Sequence, residues 1–293
     1  MKRLPLVNLK SYDLTITQSW ETDHGVSGHL FEIIEYFYHF KFHKNINVCI
    51  LLADGITLNQ LITALSKYSF TKAEHSSIIK HCKFAYQPKV VLANDIIFVD
   101  GSLRTLGADI LCKRKMLLRC AEDEYLEECD LVLQDYDVYD PLDNSIDYKK
   151  KILFSKFKEI DESSDAIMFY GTSNARMLSY DDLEVLTSKY KAYKYILLTN
   201  EVFDVPSNIE LMIVPVERLW ETFSTYVYTK VLSTTHIDCS PRFIAECKFY
   251  NKEVIYDTET FDKGLEVRMR DLNNMKTITL DVSDEITKVA SII

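Results

Sequence analysis

Thr234 to Asp257 reads TTHIDCSPRFIAECKFYNKEVIYD, and this stretch sets the expected architecture. It parses as strand, turn, helix and strand again. Ser240 is a good N-cap, Pro241 occupies a first helical position that needs no N–H, and Asn251 is a natural stop. Phe243, Ile244 and Cys247 make an apolar stripe at helical spacing, while Arg242, Glu246 and Phe249 share another face. The apolar run Val254-Ile255-Tyr256 supplies the next strand. Helical N–H groups that open beside a strand end are a seat for phosphate, and one turn further in Glu246 is placed to bind a ribose hydroxyl. The plain alternative is an ordinary amphipathic helix with an Arg242–Glu246 surface pair, worth roughly 0.2–0.5 kcal/mol.

Upstream, the chain alternates strand and helix patterns, the mark of an α/β sheet with helical crossovers. Asp13 to Trp20 predicts a first strand, followed by a loop from Glu21 to His29 and a helix to about Phe42. Asn47 to Ala53 predicts a strand and Thr57 to Tyr68 a helix. Short strands are expected at Val90–Leu92 and Ile96–Val99, around Asn94-Asp95, and again at Met116–Leu118 and Leu131–Leu133. Asp140 to Tyr148, with Pro141 and Asn144, is the best linker candidate. A second alternating unit starts near Asp165: strand 166–170, helix 180–190, strands 195–198 and 209–214, and a helix 219–228 before the opening stretch. From Ile278 a short strand and a last helix are expected.

At 293 residues the chain has room for one large domain or two of ordinary size, and 47% apolar with 27% charged residues makes it globular rather than disordered. The cysteines at 49, 82, 112, 120, 129, 239 and 247 show no CxxC and no regular spacing. That pattern predicts reduced, mostly buried thiols in a cytoplasmic protein, not a disulfide frame or a zinc site. No apolar run approaches the ~18 residues of a membrane span, and no signal peptide is indicated, so a membrane partner is not expected. A net charge of −10 argues against generic polyanion binding by the whole surface. Basic residues still cluster at Lys113-Arg114-Lys115 with Arg119, and at Lys149-Lys150-Lys151 with Lys156 and Lys158. Such runs are solvated faces unless they meet in space, where they would hold a polyanionic acceptor.

The block Asp238–Glu246, followed by Lys252–Tyr256, resembles the donor half of two-domain, GT-B type nucleotide-sugar glycosyltransferases. In that family a loop and helix carry a glutamate for the nucleotide ribose, and a short strand follows. The resemblance is close here and only in outline elsewhere; Asp238 stands where many members have an earlier glutamate. It implies two doubly wound, Rossmann-like α/β domains facing a cleft: residues 1–150 on the acceptor side, 151–275 holding the sugar nucleotide, and a tail 276–293 packing back on the body.

The resemblance also implies roles for the loops. GT-B enzymes keep a base at the first strand–helix junction, which here offers Asp23 and His24; an aspartate suffices because the proton leaves late, when the attacking hydroxyl has become acidic. Gly25 and Gly28 permit close approach of the sugar acceptor, and Ser27 can cap the helix. On residues alone, Asp23 equally orders a turn and His24 equally sits at the surface. The HxxxxH spacing of His24 and His29 does not form a ligand set with an acidic or cysteine partner, so no metal site is expected there. After the first strand of the second unit, Gly171 to Arg176 offers free N–H groups and a guanidinium for a diphosphate, with Ser240 and Arg242 completing the cradle.

A competing signal is Asp135-Tyr-Asp137, like the Asp-x-Asp metal signature of single-domain, GT-A type glycosyltransferases. Among 44 acidic residues that triplet also arises by chance, most simply as a surface turn. Few Gly and Pro with abundant Tyr, Lys, Asn and Ile give the chain the look of a large DNA phage protein. In that setting it resembles the phage enzymes that glycosylate hydroxymethylated cytosine in DNA, in some cases with a pentose such as arabinose. The base would be flipped toward the cleft, with the Lys113 and Lys149 clusters on the backbone. The expectation is a metal-independent, inverting glycosyltransferase with a UDP- or CDP-type sugar as co-substrate and double-stranded DNA as partner. It needs no cofactor, although Mg²⁺ or Mn²⁺ would be compatible. The alternatives are a non-catalytic nucleotide-binding α/β module and a sugar-nucleotide epimerase.

Overall fold

A computed structural model describes residues 6–18, 28–52, 56–85, 88–99, 108–119, 126–134, 136, 139–148, 152–159, 164–170, 179–199, 202, 204–218, 228–233, 242–255 and 283–293. The chain divides into two compact units, Met1–Lys156 with Lys276–Ile293, and Phe157–Met275.

The first unit runs through Leu6–Asn8 (β1), Leu14–Thr17 (β2), Gly28–Tyr38 (α1), Val48–Leu52 (β3), Leu58–Leu65 (α2), Lys72–His81 (α3), Cys82–Phe84 (β4), Val90–Leu92 (β5), Asp95–Val99 (β6), Asp109–Leu111 (β7), Arg114–Leu118 (β8), Leu131–Gln134 (β9) and Ser145–Asp147 (β10). β2, β3 and β6 are buried at every residue, which is why, Asp95 at the start of β6 apart, they read as apolar or β-branched runs: a parallel strand has its two faces covered. The main sheet has the order β10-β9-β8-β6-β2-β3-β4, with all its pairs parallel. Order reverses between β2 and β6, so this is the switch point. α1 is buried from Leu30 to Tyr38, a core helix, and continues as a π-turn over His39–His43.

A second, small parallel sheet has the order β1-β5-β7. Each of its strands leads within a few residues into a central strand of the main sheet: β1 into β2, β5 into β6, β7 into β8. The three strands therefore bend together. Asn94 holds the bend by donating from Nδ2 to the carbonyls of Lys10 (3.1 Å) and Tyr12 (2.7 Å). This is the expected pair of short strands around Asn94-Asp95.

Two expectations need correction. Asp140–Tyr148 is not a free linker, because Ser145–Asp147 adds to the sheet edge beside β9. Ser145 Oγ accepts from Leu142 N–H and donates to the Leu142 carbonyl (each 2.8 Å), folding Pro141–Asn144 into a turn that returns the chain to the sheet. α3, absent from the sequence reading, buries only Ile78 and so lacks an apolar stripe; a capping box between Thr71 and Glu74 starts it.

The second unit contains Ser164–Tyr170 (β11), Tyr180–Lys189 (α4), Lys194–Thr199 (β12), Ile209–Ile213 (β13), Tyr228–Ser233 (β14), Arg242–Phe249 (α5) and Glu253–Ile255 (β15); Ser283–Ile292 (α6) belongs to the first unit. Its sheet is parallel, order β13-β12-β11-β14-β15. Alternation along β11 sorts the core: Ile167 and Phe169 pack with Leu183 and Leu186 of α4, while Ala166 and Met168 pack with Cys247 of α5. Helices on opposite faces of a parallel sheet make this unit doubly wound. The strand and turn read at the head of the opening stretch fall on 234–241, outside the described residues; β14 leads up to them. Tyr228 starts that strand instead of ending a helix, because the Tyr-Thr-Lys-Val-Leu-Ser run pairs with β11.

Candidate functional site

In a doubly wound sheet, ligands sit beyond the strand C-termini at the switch point. In the second unit that point lies between β11 and β14, where the strand order departs in opposite directions. The chain leaves β11 into 171–178 and β14 into 234–241. Gly171, Arg176 and Ser240 lie on these two segments, outside the described residues. What the structure does place is α5, entered directly from the second of them.

α5 is anchored from several sides. Cys247 is fully buried against the sheet. Phe249 meets Phe157 edge-to-face with centroids 5.5 Å apart, and the Tyr250 hydroxyl donates to the Lys158 carbonyl at 3.1 Å. The helix stops as the sequence predicts: Asn251 takes a left-handed φ of 56°, and Lys252 N–H returns to the Cys247 carbonyl at 2.7 Å.

On this fixed helix Arg242 Nε donates to Glu246 Oε1 at 2.6 Å. The alternative reading of this pair as a solvated surface feature does not hold: it is withdrawn from water, with Glu246 only 6% exposed. A buried ion pair is weak evidence of stabilisation, since desolvation offsets the attraction. The bond to Arg242 fixes the orientation of the carboxylate. Its charge is felt nearby. Burial pushes the Cys247 thiol far above its usual range and raises the Tyr250 phenol, and in each case Glu246 adds to the shift. Both groups are therefore neutral at physiological pH, and the nucleophile chemistry of Cys247 is suppressed.

In the first unit the switch point lies between the ends of β2 and β6. Asp23, His24, Gly25 and Ser27 fall between β2 and α1, outside the described residues; Lys149, after β10, and the competing pair Asp135 and Asp137, after β9, are outside them too. At the edge of that gap stand Gln18, just past β2, and Gly28, where an added Cβ would meet nothing within 4 Å. His29 Nδ1 approaches Glu32 Oε2 at 3.4 Å, and Glu32 is 1% exposed. The sequence reading found no acidic partner for His29; the partner is one helical turn on, at i+3, a spacing visible once the helix is known to begin at Gly28.

Lys113, Arg114 and Lys115 are not brought to this edge. Arg114 is level with Asp95 and Leu14 across the sheet, so the cluster sits at strand starts, ~13 Å along the strand direction from the level of Gln18 at ~3.3 Å per residue. Arg114 Nη1 donates to the Ile292 carbonyl of α6 at 2.9 Å. Lys113 and Lys115 line a groove of about 590 Å³ with Lys10, Asn94, Glu128 and Asp130. Among the described residues no group of three or more His, Cys, Asp and Glu side chains could hold a metal ion, and no helix is long and apolar enough to cross a membrane.

No protein-family model and no curated protein sequence matches the chain. Solved structures do. One is the UDP-GlcNAc 2-epimerase from Neisseria meningitidis bound to UDP-GlcNAc, at a TM-score of 0.50 and 9% identity over 98% of this chain and 99% of that one. Another is an α-glucosyltransferase in complex with UDP, at a TM-score of 0.50 and 9% identity over 95% and 94%. At such identity the likeness speaks for architecture: the chain is similar to these proteins in having two Rossmann-like, parallel α/β units of the GT-B type.

Proposed function

We propose that the chain is a glycosyltransferase that moves a sugar from a nucleoside diphosphate of the UDP or CDP type to a hydroxyl acceptor. The observation that carries this reading is Glu246, a buried carboxylate oriented by Arg242 on the helix entered from β14, beside the second switch point. A carboxylate held there suits two vicinal ribose hydroxyls, each donating to one of its oxygens. Arg242 fixes Glu246, and Gly171, Arg176 and Ser240 hold the diphosphate, whose growing charge as leaving group a guanidinium stabilises.

In this reading the transfer is inverting and metal-independent. The acceptor hydroxyl attacks the anomeric carbon as Asp23 or His24 takes its proton; the C–O bond to the diphosphate breaks, and the nucleoside diphosphate leaves with the electron pair. Gly25 and Ser27 border the acceptor. That acceptor is 5-hydroxymethylcytosine in double-stranded DNA, a reading supported by the resemblance of the chain to phage enzymes in composition. Lys113, Arg114 and Lys115 take no part, since they sit at the opposite edge of the sheet. Reaction takes place in the cytoplasm of the host.

The test is incubation with hydroxymethylcytosine duplex DNA and a pool of labelled UDP- and CDP-sugars. Label should enter the DNA with one nucleoside diphosphate released per sugar transferred. DNA that stays unlabelled with every donor would overturn the proposal. A second reading, a sugar-nucleotide epimerase, is favoured by the equal likeness of fold to the Neisseria enzyme. It predicts an isomerised sugar nucleotide with no acceptor present.

A further inference from the structure

The first residue beyond β2, Gln18, is 6% exposed, and its Oε1 is withdrawn from solvent. Among the described residues no donor reaches that oxygen. Its neighbour is fully engaged by contrast: the Thr17 hydroxyl donates to the Leu51 carbonyl at 2.8 Å and pins the strand end. Alternation puts Gln18 on the face of β2 shared by Leu14 and Ile16, both 0% exposed. A buried carboxamide oxygen without a donor destabilises the empty protein, and an apolar side chain of the same length would pack there at lower cost. The position is also the one where a doubly wound sheet binds its ligand, between the diverging crossovers of β2 and β6. Beside it α1 starts with no acidic residue in its first turn and with open space at Gly28.

We propose that Gln18 is a specificity-determining residue of the acceptor site, its Oε1 accepting a hydrogen bond from an N–H group of the acceptor. An oxygen in that place repels a phosphate, so the group it meets belongs to the sugar acceptor and not to the diphosphate of the donor. The inference rests on the reading above and deepens it: the group is the exocyclic amine of the hydroxymethylated cytosine. A flipped base is read through this edge, and a site built to pair with an amine discriminates strongly against an analogue that lacks it.

The experiment uses the full chain and Gln18→Met, with duplexes carrying one 5-hydroxymethylcytosine or one 5-hydroxymethyluracil, which has a carbonyl in place of the amine. Competition binding should show the wild type preferring the cytosine duplex at least tenfold, and Gln18→Met binding the two equally. The variant should melt at or above the wild-type temperature and keep its stabilisation by UDP. A wild type without preference, a variant that keeps the preference, or a variant melting several degrees lower would each overturn the inference. Preference without sugar transfer would instead remove the glycosyltransferase reading and leave Gln18 as a base-reading residue.

Discussion

Glu246 and Arg242 show how one side chain acquires a role from its neighbours. An i,i+4 pair is common on helices and contributes little where it is solvated. Here the pair is nearly dry, so removing one partner leaves the other as an uncompensated buried charge. Glu246→Gln is the informative change, because it keeps the shape and one hydrogen-bonding oxygen. UDP binding should weaken by about 1–3 kcal/mol, the scale of a hydrogen bond to a charged group, with the fold retained. Isothermal titration checks this, and an unchanged Kd would take Glu246 out of the nucleotide site. The residue pair was legible as a spacing, but its burial was not, since the ring over Arg242 is that of Phe157, and the contacts that seat the helix come from Lys158 and β11, all far away in sequence.

At the level of elements, α3 shows where pattern reading stops. Ile78 is its one buried residue, so nothing in its period announces a helix. The signal that was present is its cap: Thr71 accepts from Glu74 N–H, and Glu74 accepts from Thr71 N–H at 2.7 Å. Glu74 also receives the Tyr38 hydroxyl at 2.6 Å and the Lys156 ammonium at 3.0 Å, tying α3 to α1 and to the end of the first unit. Burial works to raise the Glu74 carboxyl, but these hydrogen bonds outweigh it and hold the group down at about 2. A carboxyl lowered on folding contributes its full stability above the unfolded value, and that contribution fades as pH falls from about 4.5 toward 2. Glu74→Gln preserves the capping box but not the charge. It should cost about 1–2 kcal/mol at pH 7 and much less at pH 3, as read from urea unfolding at the two pH values. An equal difference at both would sink the charge-based account.

For the molecule as a whole, a parallel sheet in each unit gives each its own switch point, and only the second carries the buried Glu246. Nucleotide should therefore act on one unit. Hydrogen exchange with UDP, in the absence of Mn²⁺, is expected to slow in α5 and at the ends of β11 and β14, leaving β3 and β9 unchanged. Protection that requires Mn²⁺ and appears after β9 would shift the weight to Asp135 and Asp137.

The sequence by itself determined the class of fold, because parallel strands buried on two faces must be written as apolar runs such as Val48–Leu52 and Ala166–Phe169, with helices between them. It determined the stop of α5 too, since Asn251 tolerates a left-handed turn at little cost. Tertiary structure alone decided the strand order and the switch points that give Gln18 and Glu246 their places. It also decided that Lys113–Lys115 stand at strand starts, the edge opposite Gln18. The reason is that local periodicity fixes which face of an element is covered, whereas which strand lies beside which depends on pairings between residues distant along the chain.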